Sequence, residues 1–154
     1  MNSQAIRASI NNFLDLLENY QGDLHANMHA LELALDQLAL AYHFSSAEFE
    51  DTELNPPTQD YERWRKLAVE RFPQFGFYNI PSRITSQVME TEMQVGDALD
   101  DIADIACDLA EVVWCWEHIS EPDALWRFRF GYEQHWGEHL RQLQLYLYAL
   151  RHEA

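Results

Sequence analysis

The chain reads as an all-α protein, a compact antiparallel bundle of four to five helices. Three observations carry that reading: apolar residues recur at helical spacing, chain breakers fall mostly between the periodic stretches, and no stretch alternates convincingly as a strand would. With 154 residues, 47% hydrophobic and 13% aromatic, and only 5 Gly and 5 Pro, the composition is that of a packed globule and not of a disordered chain. A chain of this length is expected to form a single helical domain over 1–154.

The first helix is expected from about Ser3 to Tyr20, with Ile6, Ile10, Phe13, Leu14 and Leu17 on one face and Gly22 ending it. Asp23 is a good N-cap for a second helix reaching Phe44 through Leu24, Met28, Leu31, Leu35 and Leu38. The short connection predicts an antiparallel hairpin of the two. Residues 45–57 form a polar loop closed by Pro56 and Pro57, after which Thr58 can cap a third helix through Tyr61, Trp64, Leu67 and Ala68, ending near Phe72 and Pro73. Gln74 to Arg83 reads as an ordered aromatic loop packed on the bundle. Residues 84–96 could be helical, with Gly96 marking a break before Asp97. The fourth helix, from Asp97 to about Ile119, has the clearest pattern. Ser120 can cap a fifth, with Pro122 in its first turn, that runs to His152.

No apolar run reaches the roughly 20 residues needed to span a bilayer, and the N-terminus shows no basic start followed by an apolar block. Cys107 and Cys115 stand on one helix, about 12 Å apart along its axis, too far to pair. Both read as small buried hydrophobes with no adjacent base. Unpaired thiols and the lack of an export signal predict a cytoplasmic location. The 10 basic and 26 acidic residues leave a net charge of −16, which repels phosphate backbones and anionic lipid surfaces, so neither nucleic acid nor membrane is an expected partner.

The most informative feature is a stripe of acids on the fourth helix. Asp97, Asp100, Asp101, Asp104, Asp108 and Glu111 fall within an arc of roughly 100°, opposite Ile102, Ala103, Ile105, Ala106, Leu109, Val112 and Val113. No Lys or Arg interrupts it. Each like-charge pair at i,i+3 or i,i+4 costs roughly 0.2–0.5 kcal/mol, and the helix dipole offsets only the first turn. The stripe therefore calls for cations opposite it. It reads in three ways: a solvated face, an ion-pair network with another helix, or a divalent-metal site built from Asp97, Asp101, Asp104 and Asp108 with His135 and His139.

The fifth helix offers the cations. On its wheel Arg129 and His139 fall inside an apolar face of Leu125, Phe128, Tyr132, Trp136, Leu140, Leu143, Leu147 and Leu150, with His135 at the edge. A cation on a buried face needs a partner, so Arg129, His135 and His139 are expected to meet Asp101, Asp104 and their neighbours. His135 and His139, at i,i+4, can aim at one spot and with carboxylates could hold Zn²⁺, Fe²⁺ or Mn²⁺. A guanidinium beside them would supply the missing charge and favours the structural network. Gly131 and Gly137 cost about 1 kcal/mol each inside a helix. Close approach of Trp126, Trp136 or a ligand accounts for them as well as a kink does. His25, His29, Glu32 and Asp36 make a second stripe, better suited to surface hydrogen bonding than to a metal. No phosphate-binding, dinucleotide, GxSxG or HExxH motif occurs.

The stretch from Gly96 to Glu111, followed by Asp123 to Leu150, resembles the bacterial domain-of-unknown-function family 5063. The matching positions are Gly96, Asp97, Asp101, Ala103, Asp104, Ile105, Asp108, Trp126, Phe130, His135, Trp136, Gly137 and His139. The match covers about a third of the chain; Phe72 to Pro81 matches more loosely and residues 1–60 carry little of it. The resemblance implies an all-helical domain and adds no reaction. The leading functional expectation is a protein-interaction or self-associating domain, with the Phe72–Tyr78 loop and the acidic surface as contact regions. The alternative is a metal-dependent hydrolase, pyrophosphohydrolase-like, using the Asp97–Asp108 carboxylates with His135 and His139.

Overall fold

A computed structural model describes residues 1–19, 22–46 and 48–153. The protein is mostly helical, with a small two-stranded sheet. Helices α1 (Ser3–Glu18) and α2 (Leu24–Phe44) pack as a hairpin, α3 (Tyr61–Arg71) follows the long loop, and strands β1 (Phe77–Pro81) and β2 (Met93–Asp97) lead into α4 (Ala98–His118). Helix α5 (Glu121–Gly131) continues through one π-helical turn, Tyr132–Trp136, into α6 (Gly137–His152). Backbone angles stay right-handed helical across both junctions, so α5 and α6 form one continuous rod.

Local chemistry sets the helix starts. Asn2, Asp23, Asp60, Asp97 and Ser120 each accept a hydrogen bond from a backbone N–H of the first turn they precede. Asp60 takes the capping place expected of Thr58, so α3 starts two residues later. Ile6, Ile10, Phe13, Leu14 and Leu17 are buried as their spacing requires; Tyr20 lies outside the described residues. The apolar side of α4, from Ala98 through Ile102, Ile105, Ala106, Leu109 and Val112, lies at the centre of one continuous core. Helix α4 packs against α1, α3, α5 and α6, so residues on its polar side are reached from several elements.

Two expectations need correction. Residues 77–97 are a β-hairpin and not a loop followed by helix, with Phe77 paired to Asp97, Tyr78 to Gly96 and Asn79 to Val95. Five-residue strands, one closing on Pro81, leave little alternation to read. Gly96 serves the pairing: a Cβ there would lie 2.3 Å from the Tyr78 ring. The Phe72–Tyr78 segment is packed on the bundle, with Phe72 and Phe75 buried and Tyr78 half-buried, while Phe77 is exposed.

Second, the rod carrying α5 and α6 cannot be read on one wheel. A π turn inserts one residue into the α-helical count and rotates the residues before it by about 100° relative to those after it. The two glycines flank that turn. A Cβ on Gly137 would meet the Tyr132 carbonyl at 2.3 Å, and one on Gly131 would meet the Trp136 indole at 3.0 Å. The buried Trp136 donates its indole N–H to the Phe128 carbonyl at 3.2 Å. Close approach and irregular helix therefore share one cause.

Candidate metal centre between α4 and the α5–α6 rod

The acid stripe is divided among four elements. Asp97 is spent on structure: Oδ1 caps α4 by accepting from the Leu99 and Asp100 amides, and Oδ2 accepts from Arg65 of α3 at 2.9 Å. Asp100 accepts the Tyr61 hydroxyl of α3, and Asp101 accepts the Tyr78 hydroxyl of β1. Asp101 is the one nearly dry member, at 2% exposure. Its other oxygen meets His139 Nδ1 at 2.7 Å.

His139 also turns Nε2 toward Asp104 Oδ2 at 3.3 Å. One turn away on the rod, His135 Nδ1 meets Asp108 Oδ2 at 2.7 Å. A carboxylate oxygen of Asp104 and one ring nitrogen each of His135 and His139 all lie within 4.8 Å of one another. The two imidazoles stand edge to face, 4.9 Å between centroids. His135 lies inside the π turn and His139 in the α-helix just beyond it, so the turn helps set their relative placement.

Arg129 is not part of this cluster. Its guanidinium donates to the Ser45 carbonyl at 2.7 Å, lies over the Tyr42 ring at 4.8 Å and approaches Glu133 at 3.4 Å. It closes the C-terminal end of α2, where unpaired carbonyls and the negative end of the helix dipole attract a cation. The rotation at the π turn carries it off the face that His139 occupies. The guanidinium hydrogen-bonded to the stripe is Arg65, on Asp97; neither this contact nor those of the Tyr61 and Tyr78 hydroxyls is among the sequence expectations. The only available signal was the i,i+4 spacing of Tyr61 and Arg65.

Burial and charge oppose each other here. Burial pushes the Asp101 carboxyl up, against the hydrogen bonds from His139 and Tyr78 that lower it. Burial likewise raises Asp104, reinforced by Asp100 and opposed by His139 and His135. For His139, burial favours the neutral ring, but the Asp101 hydrogen bond and the charges of Asp101, Asp104 and Asp100 outweigh it and raise its pKa. The reason is geometric. With Nδ1–H donated to Asp101, a neutral ring would point the Nε2 lone pair at the Asp104 carboxylate; a proton or a metal cation at Nε2 removes that repulsion.

The other candidates serve elsewhere. Glu32 takes a bidentate contact from Arg151 at 3.0 and 2.7 Å and Asp36 accepts from Gln144 at 2.9 Å, tying α2 to α6, while His25 and His29 are exposed. Burial pushes the thiols of Cys107 and Cys115 up to about 12, which leaves both unreactive. Glu111 ends the stripe in a cleft shared with α5; burial raises its carboxyl, Asp108 adds to that and Arg127 opposes it.

A mostly helical fold with an Asp–His cluster between two long helical elements defines the class. The chain belongs to the family described as domain of unknown function DUF5063, whose model matches residues 2–153. The match takes in essentially the whole chain, including the α1–α2 hairpin, and not the last third alone. Protein BF1032 from Bacteroides fragilis, solved by crystallography, has a similar fold: TM-score 0.71 and 15% identity, covering 97% of this chain and 89% of that one. None of the curated proteins matches the chain in sequence. No helix among the described residues is long and apolar enough to cross a membrane.

Proposed function

We propose that the protein binds one divalent transition-metal ion through Asp104, His135 and His139. One observation carries this reading: two imidazoles, each held at Nδ1 by its own carboxylate, converge with a third carboxylate. A carboxylate on the far nitrogen fixes the ring tautomer and raises the basicity of the ligating nitrogen, the usual outer partner of a metal-binding histidine. Asp101 and Asp108 take that part, leaving Nε2 of each ring for the ion. The 3.3 Å between His139 Nε2 and Asp104 Oδ2 is close to the edge of a tetrahedron with bonds of about 2.0–2.1 Å.

Two nitrogens and one oxygen suit Zn²⁺, Mn²⁺ or Fe²⁺ better than Mg²⁺, which prefers oxygen and water. Three protein ligands leave a coordination position open, the pattern of a reactive site and not of a closed structural one. His135 is 48% exposed, so that position faces solvent. A metal-assisted hydrolysis is the chemistry such a site supports, because a bound ion generates hydroxide near neutral pH. The removal of Arg129 from the cluster takes away the counter-charge that favoured a purely structural network. Metal content of the purified protein, and calorimetric titration of chelator-treated protein with Zn²⁺ and Mn²⁺, test the reading: one ion per chain supports it, and no saturable binding refutes it.

A protein-contact role has its own support, at a different place. The hairpin exposes Phe77, Ile84, Val88, Met89, Met93 and Val95, and its paired strands put Phe77, Met93 and Val95 on one outer face. Exposed apolar clusters of this kind mark association surfaces. Sedimentation of wild type and Val95→Lys reads it: loss of a dimer or complex in the variant supports the role, and a monomer without partners counts against it.

A further inference from the structure

Beside the metal cluster, α4 and α5 enclose a cleft of about 380 Å³ lined by Asp108, Glu111, Val112, Trp126, Arg127, Phe130 and Gly131. Its size is that of a small-molecule site. Trp126 and Phe130, one turn apart on α5, stack at 4.8 Å with planes only 10° apart, and Phe49 from the 45–57 loop closes on the Trp126 edge at 4.9 Å. Phe49 is tied down nearby, since Glu50 accepts the Ser120 hydroxyl at 3.0 Å. Phe130 remains 47% exposed.

The polar side of the cleft has a definite sign. Arg127 is bound to the buried Asp123 at 2.9 Å, and Asp108 is held by His135. Glu111, which lines the cleft, makes no side-chain hydrogen bond or ion pair among the described residues. The surrounding charge of −16 draws cations toward the opening and repels anions.

We propose that this cleft binds a small planar cation, an aryl amidine, guanidine or protonated arylamine, whose ring packs on Phe130 and Trp126 and whose charged group hydrogen-bonds to Glu111. A flat delocalised cation satisfies both walls at once: its face meets the aromatic quadrupole and its N–H edge meets a carboxylate in its own plane. A saturated ammonium satisfies only the second, and a planar anion meets repulsion at Glu111. Neither Glu111 nor the aromatic pair is a proposed metal ligand, so the cleft and the metal site stand or fall separately.

The test is titration of chelator-treated protein with benzamidinium, followed by tryptophan fluorescence, with benzoate and cyclohexylammonium alongside. Saturable quenching by benzamidinium at millimolar concentration is expected, roughly tenfold weaker for cyclohexylammonium and absent for benzoate. Trp126→Phe should remove the signal, while Glu111→Gln and the exposed-site change Phe130→Ala should each weaken binding about tenfold. Benzoate binding as well as benzamidinium would overturn the proposal. So would the absence of saturable quenching, or affinity unchanged in both Glu111→Gln and Phe130→Ala.

Discussion

Asp101→Asn is the most telling single change. The wild-type carboxylate, 2% exposed, accepts from the Tyr78 hydroxyl through Oδ2 and from His139 Nδ1 through Oδ1. The asparagine oxygen can keep the His139 donor, and its NH₂ can donate to the Tyr78 hydroxyl oxygen once that O–H turns away. The loss is the acceptor's charge: each contact falls from about 1.5–3 kcal/mol for a charged partner to about 0.5–1.5 kcal/mol for a neutral one. Relief from burying a carboxylate offsets part of this, because burial already holds Asp101 above the usual carboxylate range. The net expectation is a destabilisation of about 1–2 kcal/mol. Asp108→Asn is the control. It breaks the matching contact to His135, but with side chains 48% and 26% exposed the cost should stay under about 1 kcal/mol. Urea unfolding in chelator at pH 6.5 reads both. An Asp101→Asn value within about 0.5 kcal/mol of wild type, or no larger than that of Asp108→Asn, would refute the reasoning.

Further outcomes rest on the same contacts. The raised His139 supports the fold fully below about pH 6.5 and loses that contribution as pH rises through its folded value; the raised Asp101, Asp104 and Glu111 act in the same direction from about pH 4 upward. Metal-free protein should therefore melt higher near pH 6 than near pH 8, and a melting temperature that rises across this range would contradict it. Gly137→Ala should cost about 2–4 kcal/mol, since the 2.3 Å contact is with the backbone carbonyl of Tyr132, whereas Gly76→Ala, with nothing within 4 Å, should be close to neutral; thermal melts of the pair check this. Arg129→Met should cost about 1–3 kcal/mol through the lost closure of α2 and leave metal affinity unchanged, which separates it from the cluster.

The acid stripe was legible because α4 is regular and buried along one side, so period 3.6 sorts Ile102, Ile105 and Leu109 from Asp101, Asp104 and Asp108. The helix starts at Asp23, Asp97 and Ser120 were legible because capping is local chemistry. The misplacement of Arg129 had a cause beyond local pattern: two glycines could mean a kink or a close approach, and nothing in the residues said the helix would gain a π turn. The two histidines escaped that error because His135 and His139 sit within and just after the turn. Tyr61, Arg65 and Tyr78 reach the stripe only through the docking of α3 and the register of the hairpin, which are tertiary facts. The hairpin itself was hidden by strands too short to show a period.

The proposed metal site is tested most directly by titrating Zn²⁺ and Mn²⁺ into chelator-treated wild type, His135→Ala, His139→Ala and Asp101→Asn, with stoichiometry read by calorimetry and metal analysis. One ion per chain is predicted for wild type, with binding lost in His139→Ala, reduced in the exposed His135→Ala, and weakened about 10–100-fold in Asp101→Asn, which touches no ion but orients His139. Affinity should rise with pH as the imidazole proton is displaced. Binding that is absent in folded wild type, or equally strong in both histidine variants, would contradict the site.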